Sequence, residues 1–374
     1  MKFEKPLYVG APNIGDRQKF HQYVDEIFDR RWLTNRGQCV REFEARLCEY
    51  LGVKHCITMC NATVALEIAA KALDLKGEVI IPSMTFIATA HALQIQGVKP
   101  VFADIDRNTY NLDPAAVERM ITPETTGIVG VHVYSRPCDI DGLQAVADKH
   151  GIKLMFDAAH AFGCSYKGQM IGNFGECEVF SFHGTKFFNT FEGGAIATND
   201  DKLAEKIRLM QNFGFKGFDN VIYIGTNGKM NEACAAMGLV NLDSLDDFLA
   251  VYKRNYEAYK KGLAGIRGLK LIEFNADDES NRQYIVVEVG DDYPLSRDEL
   301  IEKLQAANVI ARKYFWPGCH RMEPYKTLQP DAGNMISVTE EVVAKIVVLP
   351  TGTAVSEEAV SIICALIRGQ GISE

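Results

Sequence analysis

Between Val53 and about Ala197, short runs of apolar and β-branched residues alternate with segments of helical period. That pattern predicts a mainly parallel sheet covered by helices on both faces, because each connection is long enough to cross over. The candidate strands are His55–Met59, Glu78–Ile81, Pro100–Ala103, Gly127–Val133, Lys153–Phe156 and Glu178–Phe182. Helical segments fall between them at Thr63–Leu73, Ala88–Gln96, Pro114–Ile121 and Ile140–His150. Beyond Asn231 the period is helical through about Leu263. It then becomes mixed, with strands near Leu269–Glu273 and Gln283–Val289 and helices over Leu295–Ala307 and Ser356–Arg368. The chain therefore divides into a large α/β domain, residues 1–245 with the N-terminal arm, and a smaller α+β domain, residues 246–374. The polar stretch Asp277–Asn281 reads as a loop tip.

A chain of 374 residues that is 47% hydrophobic can bury a core without disulfide or metal staples. No run approaches the roughly 18 apolar residues of a membrane span, and Met1–Pro6 carries charges rather than an apolar signal core. A soluble, non-exported, cytoplasmic protein is expected. Ten cysteines without a CxxC pair fit a reducing compartment, and Cys56 and Cys177, inside apolar runs, read as small buried thiols. A formal charge of −9, with no basic cluster interleaved with aromatics, excludes a nucleic-acid surface. The eight histidines are dispersed, with no HExxH, and no GxGxxG or Walker sequence follows a strand, which disfavours metal hydrolases and Rossmann enzymes.

Ligands of open parallel sheets bind at the carboxyl ends of strands, and four predicted strand ends are polar. They read Cys60-Asn61-Ala62-Thr63, Pro82-Ser83-Met84-Thr85-Phe86, Asp157-Ala158-Ala159-His160 and Ser181-Phe182-His183-Gly184-Thr185-Lys186. One acid, one lysine, one ring and several hydroxyls on one edge suit a flat, charged, phosphorylated cofactor, and pyridoxal phosphate has that description. Lys186 would carry it as a Schiff base, with an amine made neutral by desolvation and able to move a proton. A solvated surface lysine is the alternative, against which stand the neighbouring Phe187, Phe188 and Glu192-Gly193-Gly194.

Asp157 reads either as the partner of a protonated pyridine nitrogen or as a helix N-cap. Asn61, Ala62 and Thr63 offer a helix N-terminus for a phosphate, to which Ser181 adds a hydroxyl, or simply an ordinary cap. Phe86 is a stacking ring or a core residue. His160 and His183 either bond a phenolic oxygen or are satisfied core histidines.

These segments resemble the DegT/DnrJ/EryC1/StrS family of sugar aminotransferases over nearly the whole chain. The resemblance is carried by Trp32–Gly37, Glu42-Phe43-Glu44, Tyr50–Val53, Asn61–Leu66, Pro82–Thr89, Asp157–Gly163, Ser181–Lys186 and Glu192-Gly193-Gly194. It implies a fold-type I pyridoxal-phosphate transferase in which Lys186 is the Schiff-base lysine and Asp157 the pyridine partner. Phe86 is then the stacking ring, His160 a cofactor contact, and Ala62, Thr63 and Ser181 phosphate ligands. Asn227, in Gly225–Met230, would serve the neighbouring subunit's phosphate, implying a homodimer with shared sites. Departures from the family pattern are His160 for a common glutamine, Ala62 for glycine and Lys229 for arginine.

The family's dehydratase branch replaces the Schiff-base lysine by histidine, so Lys186 implies transamination. The block Ala311–Met322 is similar to that of members that aminate C4 of dTDP-4-keto-6-deoxyglucose, and makes Tyr314 and His320 candidate substrate groups. The implied reaction takes an amine from glutamate to a nucleotide-linked 6-deoxy-4-ketohexose. Alternatives are 3-amination, a GDP- or UDP-linked ketosugar and, from another class, a non-catalytic regulatory protein on the same fold.

Overall fold

The alternation in the sequence folds as a seven-stranded sheet in the computed structural model, which describes residues 2–369. Its strands are β1 (His55–Met59), β2 (Glu78–Pro82), β3 (Lys99–Ala103), β4 (Thr125–Val131), β5 (Lys153–Asp157), β6 (Cys177–Ser181) and β7 (Gly194–Thr198). Their spatial order is β1-β7-β6-β5-β4-β2-β3. All pairings are parallel except those of β7, which runs antiparallel to both β1 and β6. Successive strand residues enter opposite cores, as a period of two requires. Cys56, Ile80, Leu154 and Phe180 pack on one face with helices Gln38–Leu51 and Ile140–His150. Ile57, Ile81, Met155 and Val179 pack on the other with helices Ala62–Ala72 and Asp201–Met210. Each such large apolar side chain contributes roughly 1.5–3 kcal/mol by leaving water.

Helix Leu245–Leu263 carries the chain away from this sheet: Tyr252 packs in the core under the large sheet, whereas Tyr256, Tyr259 and Leu263 pack in a separate cluster. That cluster lies against an antiparallel sheet of Leu269–Leu271, Ile285–Val289 and Ile346–Leu349, with helices Arg297–Ala306 and Glu357–Arg368. The other face of Ile285–Val289 presents Val286 to a fourth cluster containing Met84, Val131, Tyr134 and Phe315, next to the carboxyl ends of β2 and β4. The N-terminal arm also crosses to this part, where Leu7–Tyr8 pairs with Val309–Ile310. Among the described residues no helix is long and apolar enough to cross a membrane.

Several sequence expectations need correction. The strand predicted over Gly127–Val133 ends at Val131, because Tyr134 and Ser135 turn into the left-handed region. Strands β7 and Ile346–Leu349 were not predicted, and the continuous helix after Asn231 breaks at Ser244 into Glu232–Asp243 and Leu245–Leu263. Asn281 is no loop tip: it is buried, and its side-chain amide donates to the carbonyls of His160 (2.9 Å) and Phe162 (2.8 Å). Cys56 and Cys177 are buried thiols, as read from the sequence.

Candidate active site

A cavity of about 650 Å³ opens where the carboxyl ends of β4, β5 and β6 meet the starts of helices Ala62–Ala72 and Ile87–Gln94. It gathers Asn61, Ala62, Thr63, Phe86, Asp157, His160, Ser181, His183, Lys186 and Tyr314 from segments spread over more than 250 residues of sequence.

Helix Ala62–Ala72 starts at the cavity because Asn61, in extended conformation, caps it by accepting the Val64 N–H (2.9 Å). One cap cannot satisfy the whole first turn. The amides of Ala62 and Thr63 have no acceptor among the described residues. Gly194 lets them stay open, since a Cβ there would lie 2.8 Å from the Ala62 nitrogen. Two free N–H groups at the positive end of a helix, with the Ser181 hydroxyl nearby, form an anion cradle suited to a phosphate.

Asp157 ends the apolar strand β5 and is buried. Thr89 Oγ1 donates to its Oδ2 (2.7 Å) and the Ala159 N–H to its Oδ1 (3.1 Å). Burial raises its pKa above the ordinary carboxylate value, while Thr89, Ala159 and the Lys186 cation oppose that rise. The cap alternative is not what the carboxylate does, as no helix follows it.

Lys186 stands in the loop between β6 and β7, and the surface alternative fails. Phe187 and Phe188 on its carboxyl side are buried, and the Phe187 N–H donates to Gln283 Oε1 (2.6 Å). Asn13 Nδ2 donates to the Phe187 carbonyl (2.8 Å). The amine borders the cavity without a hydrogen-bond acceptor among the described residues, and desolvation lowers its pKa to about 8 despite the attraction of Asp157. Phe86 is 59% exposed at the cavity rim, at the N-cap position of its helix, so it is not a core ring. His160 is buried and neutral, its pKa held well below the usual value first by burial and then by Lys186.

Two of the expected residues are elsewhere. His320 does not reach the cavity: its Nδ1 bonds Ser83 Oγ and its Nε2 bonds Glu340, each at 2.6 Å, as in a satisfied core histidine. The left-handed Gly318 (φ 88°) turns the chain away after Tyr314 and Phe315. Asn227 lies in a second surface depression with Thr34, Asn35, Asn212, Phe213 and Lys229. Sequence reasoning missed Thr89, Tyr134, Tyr284, Phe315, Asn13 and Gln283. Thr89 and Phe315 fall in blocks already singled out; the others left no local signal, because each acts on a partner far away in sequence.

The cavity thus provides what a flat, phosphorylated aldehyde needs: a desolvated amine, a buried carboxylate, an exposed ring and an anion cradle. Fold and site together define a pyridoxal-phosphate-dependent aminotransferase. The chain belongs to the DegT/DnrJ/EryC1/StrS aminotransferase family, whose sequence profile matches residues 15–368. It is 39% identical over 367 residues to a dTDP-4-amino-4,6-dideoxy-D-glucose transaminase of Shigella dysenteriae, covering 98% of this chain and 99% of that one. A GDP-perosamine synthase of Caulobacter vibrioides is 36% identical, with 87% and 88% covered. Among solved structures, DesI in the presence of its TDP-sugar product superposes with a TM-score of 0.94 at 46% identity, covering 98% of this chain and 93% of that one.

Proposed function

We propose that the enzyme transfers an amino group from glutamate to the 4-keto carbon of dTDP-4-keto-6-deoxyglucose, giving dTDP-4-amino-4,6-dideoxyglucose, and that it works in the cytoplasm as a homodimer. The observation that carries this reading is likeness over almost the entire chain to a transaminase of that dTDP-sugar and to DesI, with the lysine retained in the cavity. Bound pyridoxal phosphate supplies an aldehyde that takes up the amine and a protonated ring that accepts an electron pair.

The chain's own residues do the rest. The Ala62 and Thr63 amides and the Ser181 hydroxyl would hold the phosphate, Phe86 would stack on the ring, and the Asp157 carboxyl group would face the ring nitrogen and keep it protonated. Lys186 would carry the cofactor, and its free amine would take a proton from the donor's Cα and deliver one to the amino-bearing carbon of the sugar. With a pKa near 8 it can both accept and return that proton. Tyr314 borders the space left for the sugar. Support for the homodimer comes from an apolar surface including Trp32, Leu33, Phe218, Val221, Ile222 and Ile224 close in sequence to the depression that holds Asn227. Asn227 then completes the phosphate site of a second subunit.

Product NMR after incubation with glutamate and a panel of dTDP-, GDP- and UDP-linked ketosugars tests the assignment. The expected product carries its new amine at C4 of the dTDP sugar; an amine at C3 rejects the proposal. The second reading, a GDP-linked substrate, is favoured by the likeness to a GDP-perosamine synthase, and turnover of GDP-linked ketosugar alone would select it.

A further inference from the structure

Tyr134 and Ser135 both adopt left-handed backbone conformations (φ 56° and 66°) and both are buried. For a residue with a Cβ that conformation costs roughly 1–2 kcal/mol, so it persists only where the surroundings impose it. The turn follows β4 and grips two segments of the cavity wall. The Tyr134 N–H donates to His160 Nδ1 (3.3 Å), the Ser135 hydroxyl donates to the His160 carbonyl (2.7 Å), and the Tyr134 hydroxyl donates to the Tyr314 carbonyl. The rings follow the same plan: Phe315 lies nearly parallel to both His160 (5.7 Å, 4°) and Tyr134 (5.9 Å, 12°).

A hydrogen bond accepted at one nitrogen of a neutral imidazole places the proton on the other. His160 accepts at Nδ1, so its proton is on Nε2. That nitrogen has no acceptor among the described residues, yet it is not among the sealed, unpartnered atoms of the interior; it is reached from the cavity that His160 lines. We infer that Tyr134 is a positioning residue: its turn fixes His160 as the Nε2–H tautomer, presenting a hydrogen-bond donor to an anionic oxygen of the bound ring, while its hydroxyl sets the place of Tyr314. The inference rests on the cofactor reading above. A donor without charge stabilises such an oxygen and adds no second cation beside Lys186, whose amine must lose its proton to react.

The test uses cofactor-loaded enzyme grown with 15N-histidine, at pH 7.5, with the His160 signals assigned by their loss in His160→Gln. Pyrrole-like Nε2 and pyridine-like Nδ1 are expected; the reverse assignment, or an imidazolium, overturns the inference. Tyr134→Phe keeps the backbone donor and the ring, so its tautomer and visible absorption should match the wild type. Its KM for the nucleotide sugar should rise about ten-fold, the size of one lost hydrogen bond, with kcat within about two-fold; an unchanged KM overturns the role toward Tyr314. If reconstituted protein shows no visible absorption and no borohydride label, the cofactor reading itself fails. A labelled enzyme with the wrong tautomer defeats only this inference.

Discussion

Two groups of ionisable residues, all buried except the half-buried Lys186, lie along the same central strands and have opposite characters. In the core, His132 and Glu178 are fully buried. His132 stacks on Phe156 (4.8 Å), accepts the Cys138 N–H at Nδ1 (3.0 Å) and bonds Glu178 through Nε2 (3.3 Å). The other Glu178 oxygen accepts the Gly172 N–H. Burial holds His132 down to about 3 and pushes Glu178 well above the carboxylate range. In the cavity, Asp157, His160 and Lys186 are perturbed for the same physical reason. A shifted pKa therefore does not distinguish the two groups. What does is spare bonding capacity: the core pair is saturated, whereas Lys186 Nζ, His160 Nε2 and the Ala62 and Thr63 amides have no protein partner among the described residues and border a cavity.

Breaking the cavity side should have the largest effect. Lys186→Ala removes both the covalent attachment and the proton carrier, and is expected to lower turnover by at least about 10³-fold, toward the upper end of what a lost acid–base group costs. The fold should survive, because the amine makes no hydrogen bond to a described residue. Borohydride reduction followed by peptide mapping checks this directly: the wild-type label should fall on Lys186 and vanish in the variant.

The next effect is one of pH. Because burial lowers the Lys186 pKa to about 8, the neutral, reactive amine accumulates as pH rises to that value and is nearly complete one unit above it. The rate at which free cofactor attaches to the apoenzyme should climb about fifty-fold between pH 6 and 8, then only about two-fold more. A rate still climbing about ten-fold between pH 8 and 9 would describe an ordinary solvated lysine. Stopped-flow absorbance reads the attachment.

Perturbing the core pair should reverse the pattern of consequences. Glu178→Ala leaves the Gly172 N–H and the His132 ring N–H without acceptors, at about 1–3 kcal/mol each. A lower melting temperature is expected, with activity per bound cofactor within about two-fold. If activity per cofactor fell with stability intact, the separation of saturated from open groups would be wrong.

The sequence is informative about the site to the extent that each residue's role is local. Asp157 and Lys186 drew attention because each follows an apolar run read as a strand, although the residues alone left Asp157 open between a pyridine partner and a helix N-cap. The Ala62–Thr63 cradle was legible because a cap residue follows β1 directly. One of the two unpredicted strands has weak local preference: β7, Gly-Ala-Ile-Ala-Thr, has little intrinsic strand tendency and is made a strand by pairing on both edges. Asn13, Gln283 and Asn281 look like surface residues, since nothing nearby announces carbonyls and amides more than 90 residues away.

His320 was a candidate through the resemblance of the block Ala311–Met322, but its ring is turned to Ser83 and Glu340 instead of the cavity that Tyr314 borders. Here the smallest expected effect sharpens the comparison. Ser83 Oγ accepts the His320 N–H (3.1 Å), which leaves its own hydroxyl to donate to His320 Nδ1, so Ser83→Ala removes two buried hydrogen bonds. A loss of about 2 kcal/mol is expected in urea unfolding. KM for the nucleotide sugar should stay within about two-fold, because His320 and Ser83 make a saturated contact between β2 and the C-terminal part. Had His320 been a substrate group, loosening its ring would raise that KM well before it lowered stability, and such a result would move this histidine from the saturated class to the open one.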